Sequence, residues 1–408
     1  MDHVAVRRAR IAVTLLFLTN GMGFANIVPR YPEIRDNLGL SYSAFGVAVA
    51  ASALGALMLG LAAAPLVRRY TSARVALVSM LSMALVGVAV GIAPSGVLLA
   101  VAFFAMGALD AVADVAQNAH GLRVQRAHGK SLLNGFHAMW SVGAVLGGLM
   151  GAAAAGLRIP VVVHLSVAAS IVIVTNVVAH RMVLRGPDQV EDDAGADAIE
   201  VKRGFRHVPA RSWALLSAFG LIAIFGVWVE DAGFTWAASY LRDELGAGPS
   251  LAAMGFVALM AFHFIGRVTG DRLIDRFGQR AVVRTGGLIT AVGMGMALLF
   301  PSIPMVIAGF ALAGLGAATT VPVAMHAADE LPGFKPTTAL TLASWLLRVG
   351  FLIAPPLVGA LGDAFSLRVG LLVVVFAGVA IMVLATWLTP RPHSAHASAS
   401  ASGGKARE

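Results

Sequence analysis

The 408-residue chain has no cysteine, which excludes disulfides, thiol catalysis and thiolate metal sites and leaves the redox compartment unreadable. Charge is scarce as well. Only 12% of positions are Asp, Glu, Lys or Arg, where a soluble domain carries about a quarter. A chain with so little charge and 58% hydrophobic residues is not a soluble globule. No phosphate-cradling glycine loop, no His-x-x-x-His metal pattern and no nucleophile–base pair is recognisable, so the sequence implies no enzyme, no cofactor and no resident metal. The net charge of +9 alone would suit nucleic acid, but the basic residues are scattered over short loops instead of forming a patch.

What the chain does have is a succession of apolar runs of bilayer length, about 20 residues each. Twelve are expected, near 10–29, 44–66, 74–93, 97–119, 131–156 and 160–180, then 213–238, 250–270, 284–300, 305–327, 338–361 and 369–388. The first begins like a secretory signal, MDHVAVRRAR followed by IAVTLLFLT, but its apolar character continues through GMGFANIV, so it is read as a retained helix. Between the sixth and seventh runs lies the one long charged loop, and the chain therefore divides into four parts. These are a six-helix bundle (1–187), a linker (188–211), a second six-helix bundle (212–388) and a disordered Ser/Ala/Gly-rich tail (389–408).

Loop charge gives the orientation. Of the 30 Lys and Arg, 23 fall in segments on the side of the termini. Five fall on the other side (Arg30, Arg35, Arg158, Arg242 and Arg368), and Arg267 and Arg348 lie within spans. By the positive-inside rule both termini are cytoplasmic.

The eighth run ends in GRVTGDRLIDRFGQR. Its Gly270, Asp271, Asp275, Arg276, Gly278 and Arg280 resemble the G-x-x-x-D-R-x-G-R/K loop motif of the major facilitator superfamily. Glycine permits close helix approach, and the Asp is expected to cap a helix and hold an Arg across the cytoplasmic face. A broken copy, APLVRRYTSAR at 64–74, has Arg68 in place of the Asp and Thr71 in place of the Gly. DVAQN (114–118) and NGFHAMWSVGA (134–144) further resemble the fucose-permease-like branch of bacterial inner-membrane proton symporters. That branch has an acid in the first helix, and Asn26 is taken as its counterpart here. The resemblance implies an all-α polytopic protein with twelve transmembrane helices in two bundles, and a monomeric, proton-coupled secondary transporter in the inner membrane. The expected partners are protons, a small solute and the lipid bilayer.

The polar residues inside the spans narrow the site. A carboxylate at the centre of a membrane helix costs about 2.5–3.5 kcal/mol. Asp110, Asp114 and Asn118 are spaced four apart, which makes them one helical stripe, with Gln117 beside it. His137, two turns into the next span, is expected at the depth of Asp114, and the pair is the candidate proton site, with Asp110 and Glu230 as further proton-coupling candidates. In the second half, Glu230 is expected to face the cavity and Asp231 a neighbouring helix, because adjacent residues point about 100° apart. Arg348 lies too deep to snorkel and is expected to pair with Glu230 or to hold an anionic solute. Trp236, His263 and Trp345 complete the candidate cavity lining. GAVLGGLMGAAAAG (143–156) is a small-residue seam, and Pro355–Pro356 is expected to kink the eleventh span.

The reading is of alternating access to a small polar solute, sugar-like or anionic, by symport. Proton-driven efflux of hydrophobic compounds is the alternative, and a non-transporting membrane sensor a more remote one. Lacking cysteine, the chain is a ready background for single-cysteine labelling. Cysteines at Gly96 and Ser302 should react with an impermeant maleimide from outside, whereas those at Gly129 and Ala194 should react only after permeabilisation. The reverse pattern at either pair would invert the topology.

Overall fold

The computed structural model describes residues 3–184, 186, 208–334 and 338–389. Most of the linker and all but the first residue of the tail lie outside the described residues. Twelve helices are long and apolar enough to cross a bilayer, and no strand occurs among the described residues. Lipid offers the backbone no hydrogen-bond partner, so each span must satisfy its own peptide groups, which a helix does. Six helices make up the first half: α1 (His3–Ala25), α2 (Tyr42–Tyr70), α3 (Ser72–Ile92), α4 (Gly96–His128), α5 (Leu133–Gly156) and α6 (Val161–His180). The second half repeats this with α7 (Ala210–Asp243), α8 (Pro249–Phe277), α9 (Gln279–Leu299), α10 (Ile303–Asp329), α11 (Thr338–Ala364) and α12 (Leu367–Trp387). α10 is interrupted at 318–319, and α12 at Leu371. Large apolar side chains such as Leu61, Leu85 and Phe376 are exposed within the helices, the inverse of a soluble protein.

Contacts are densest within each set of six, and the two sets meet mainly through α2 against α11 and α5 against α8. The small-residue stripe of α5 is the seam to α1. A side chain at Gly143 would collide with the Leu18 carbonyl, and one at Gly147 or Gly151 would crowd the carbonyl of Met22 or Asn26. The four-residue spacing keeps one backbone-deep row in contact along both helices. α11 runs unbroken through Pro355 and Pro356, which deprive the Phe351 and Leu352 carbonyls of their ladder bonds.

At the end of the molecule opposite the chain termini, the halves are latched. Arg35, from the short helix Tyr31–Asn37, bonds Asp243 at 2.9 Å and Asp36 at 2.6 Å. Arg242 answers with Asp36 at 2.6 Å and Asp243 at 2.8 Å, closing a ring of alternating charge. Beside it, the carboxylate of Asp363 on α11 accepts the backbone N–H groups of Tyr42 (2.9 Å) and Ser43 (2.8 Å). An acid of one bundle thus caps the first turn of α2 in the other, where orphan N–H groups and the helix dipole favour an anion.

The eighth run departs from expectation. Its motif is mostly helix: Gly270, Asp271, Asp275 and Arg276 lie in the last two turns of α8, and the connection to α9 is Gly278 alone. No side chain caps α9. Among the described residues neither Asp271 nor Asp275 has a hydrogen-bond or ion-pair partner, and Arg280 donates instead to the Leu388 carbonyl at 2.8 Å. A one-residue connection forces an unusual backbone, φ 85° and ψ 155° at Gly278. The equivalent residue in the first half, Thr71, has φ 77° and ψ 146°. That region is hospitable only to glycine, and a β-branched residue there carries strain of about 1–3 kcal/mol. Glycine's extra unfolded-state freedom offsets about 0.5–1 kcal/mol of the relief. Thr71→Gly should therefore stabilise the protein by about 1 kcal/mol and raise its thermal midpoint by a few degrees, and Gly278→Thr should lower it. An unchanged or lower midpoint in Thr71→Gly would mean that the turn is not strained.

Candidate functional site

Below the latch, the space between the bundles is a cavity of about 480 Å³. α4 presents Asp110 and Asp114 to it, one turn apart. The Asp114 side chain is accepted into a chain of polar groups: Asn118 Nδ2 donates to Asp114 Oδ1 at 2.9 Å, and His137 Nε2 lies 3.1 Å from Asn118 Oδ1. With its amide nitrogen committed to the carboxylate, Asn118 offers His137 an acceptor, so Nε2 of His137 bears the hydrogen. The Phe17 ring holds the imidazole edge-on at 5.0 Å. Asp114 and His137 are both solvent-exposed although both lie within spans, which locates the open side of the cavity towards the termini.

Asp110 sits deeper and joins a second chain. Trp140 Nε1 donates to Asn20 Oδ1 at 2.8 Å, and Asn20 Nδ2 to Asp110 Oδ1 at 3.2 Å. Three helices, α1, α4 and α5, thus hold both carboxylates through neutral amides.

α7 presents Glu230, Asp231, Phe234 and Thr235. These form two adjacent rows of one helix, so the expectation that Asp231 would turn away fails: the cavity is wide enough to meet both. Asp231 is 7% exposed, its Oδ1 accepts the Thr235 hydroxyl at 3.3 Å, and its Oδ2 has no partner among the described residues. α11 adds Ser344, Leu347, Arg348 and Phe351. Arg348 lines the cavity, as does Glu230, but the two make no ion pair. The guanidinium reaches across to α2, where Nη1 is 3.4 Å from the Ala56 carbonyl, near the limit of a hydrogen bond.

Five other expected lining residues lie elsewhere. Asn26 is fully buried at the end of α1, bonded to the Met22 carbonyl (2.8 Å) and to His164 Nε2 (3.0 Å), and so ties α1 to α6. Asn20, six residues earlier and about 240° round the helix, occupies the position that Asn26 was expected to fill. Trp236 is fully buried behind the latch, edge-on to Tyr42 and Phe45. Trp345 is 48% exposed on the outer surface of α11, one position past the cavity-lining Ser344. Gln117 and His263 are buried among helices and do not line the cavity. The residues that sequence reasoning passed over are Asn20 and Trp140, while Asp231 was expected to turn to a neighbouring helix. The signal for Asn20 was available as a lone amide in TLLFLTNGMG.

A model of the Major Facilitator Superfamily matches residues 13–272 and, as a second match, 220–407. The chain belongs to the major facilitator superfamily. It is 29% identical to an uncharacterized transporter of Sinorhizobium fredii over 90% of this chain and 95% of that protein. It is 27% identical to the membrane protein MosC of Rhizobium meliloti, over 91% and 88% respectively. Among solved structures, a bacterial homolog of the human lysosomal transporter Spinster, inward-facing and occupied, superposes with a TM-score of 0.75 at 17% identity, covering 95% of this chain and 97% of that one. A D-xylose–proton symporter gives 0.71 at 15% identity, over 94% and 98%. These likenesses establish the superfamily fold, an integral membrane protein, and relatives that are transporters.

Within that superfamily fold, the separation of Arg348 from Glu230 is testable. Contacting charges couple by about 0.5–3 kcal/mol in a double-mutant cycle. Arg348→Met and Glu230→Gln should be additive in thermal stability to within about 0.5 kcal/mol. Larger coupling would restore the direct pair.

Proposed function

We propose that this protein is a proton-coupled symporter of a small polar solute, working by alternating access in a bacterial inner membrane. The observation that carries the reading is the pair of α4 carboxylates facing a one-ended, solvent-reached cavity at mid-span. Carboxylates in that position are costly, and a proton that binds and leaves with each cycle gives them a use. Asp114 is the coupling residue, held by Asn118 and within a two-bond chain of His137, while Asp110 stands behind it on the Asn20–Trp140 chain. The positive-inside count makes the latched end external, so the arrangement corresponds to an inward-open state. Opening to the outside requires the charge ring and the Asp363 cap to part as the halves rock about α2–α11 and α5–α8.

Aromatic walls, with Phe24, Trp140, Phe234 and Phe351 in the cavity, favour proton-driven efflux of hydrophobic compounds as the second reading. One experiment addresses both. A solute is first found by thermal-shift screening of the purified protein, since ligands of the native state raise apparent stability. In proteoliposomes, wild type should take that solute up down an imposed proton gradient. Asp114→Asn should lose gradient-driven uptake while retaining counterflow exchange, which needs no net proton movement. Uptake that persists in Asp114→Asn would remove Asp114 from coupling, and solute movement against the proton flow would select the efflux reading.

A further inference from the structure

Resting on the transporter reading above, the charge inside the cavity narrows the solute further. Four carboxylates line it, Asp110, Asp114, Glu230 and Asp231, against one cation, Arg348. An anion entering would meet a wall of its own sign, because a narrow low-dielectric cleft focuses the field of the groups around it. A neutral polyol needs donors as well as acceptors. The strongest neutral donors here, Asn20 and Trp140, are already spent on each other and on Asp110. Donors remain on Arg348, but the acceptor groups outnumber it four carboxylates to one.

Its sharpest point is Asp231. The side chain is more than nine-tenths buried, faces the cavity, and leaves Oδ2 without a partner among the described residues. A buried acceptor of this kind costs free energy until a donor reaches it, and a charged donor offsets most. Glu230, adjacent in the chain, faces the same space. Beside them the wall is aromatic: Phe234 stands one turn along α7 from Glu230, its ring centroid 6.0 Å from that of Phe24 on α1 with planes tilted by 52°, and both line the cavity. Ring faces attract ammonium groups through their quadrupole. Acceptors on α7, aromatic faces and a volume of about 480 Å³ together fit one ligand class.

We infer that the solute is an organic cation: a primary or substituted amine on a ring-sized apolar body, its ammonium held by Glu230 and Asp231 and its body against Phe24 and Phe234. This leaves the α4 carboxylates to the proton, so that the two cations occupy separate helices and can be carried together.

The test uses three probes that share one ring and differ in charge: tyramine (cation), tyrosol (neutral) and 4-hydroxyphenylacetate (anion). Binding to the purified full-length protein is read as a thermal shift at neutral pH. Tyramine should raise the midpoint, and the other two should not at the same concentration. Glu230→Gln and Asp231→Asn should each weaken tyramine by roughly tenfold or more, the worth of a charge-assisted bond. Asp329→Asn, which removes an exposed carboxylate at the end of α10, should change nothing. Should an α7 variant fail to give monodisperse protein, the three-probe ranking on wild type still decides. Equal shifts from tyramine and tyrosol, a shift from 4-hydroxyphenylacetate alone, no shift from any probe, or tyramine binding untouched in both α7 variants would each overturn the inference. No gradient exists in detergent, so failure of the proton-coupling reading in proteoliposomes leaves this result standing. Conversely, gradient-driven uptake of some other solute, without tyramine binding, would sink only the cation assignment.

Discussion

The shape of the cavity depends on the cross-bundle latch. Two bundles whose facing helices are lined with small and apolar residues have little to hold them at one angle. The ring of Arg35, Asp36, Arg242 and Asp243, together with the Asp363 cap on α2, fixes one end shut and leaves the other to splay. None of these contacts is strong alone. Ion pairs at partly exposed positions contribute about 0–1 kcal/mol each. A sum of several such terms can hold a conformation, yet a change of ligand or proton occupancy in the cavity is large enough to release it. Arg35 is also stacked on the Tyr42 ring, 4.4 Å from its centre, so the ring and the α2 terminus move as one piece.

Below the latch, the bilayer imposes the second constraint. Polar groups cannot face lipid, and those inside the spans are therefore gathered either into the cavity or into inter-helix ties. The ties are Asn26 with His164, Asn176 with Thr19, and Ser72 with His120, each fully enclosed. The cavity groups differ in having an open side. One and the same constraint thus produces structural and functional polar residues, and only the direction of the side chain separates them.

That is why the sequence disclosed the fold more fully than the site. Span length, loop charge and the Gly270–Arg280 pattern are one-dimensional signals, and twelve helices and the superfamily follow from them. The Asp110–Asp114–Asn118 stripe was also legible, because four-residue spacing is itself a statement about direction. Asn26 against Asn20 was not: both are amides in α1, and choosing between them needs the rotation of α1 against α4. Trp345 lies one position from a lining residue and faces outward, a difference of about 100° that no composition reveals. Glu230 and Asp231 both reach the cavity because of its width, which is a property of two bundles and not of either helix. The loop motif was recognisable, but its helical continuation to Phe277 was not, since charged residues at a helix end look like loop in hydropathy.

The charge ring has a further consequence. Its members come from IRDNLG at 34–39 and LRDELG at 241–246, the same Arg-Asp step at the first helix-to-helix passage in each half. Arg35 bonds Asp243 as Arg242 bonds Asp36, so the contact is reciprocal about a two-fold axis. Such an interface is isologous: the surface is its own complement. A six-helix unit carrying one Arg-Asp step could close the identical ring with a second copy of itself. The latch therefore needs no difference between the halves, and two identical halves would close it without a single compensating change. The cavity beneath it, with carboxylates held by amides on one side and acids with one arginine on the other, is where the two halves differ.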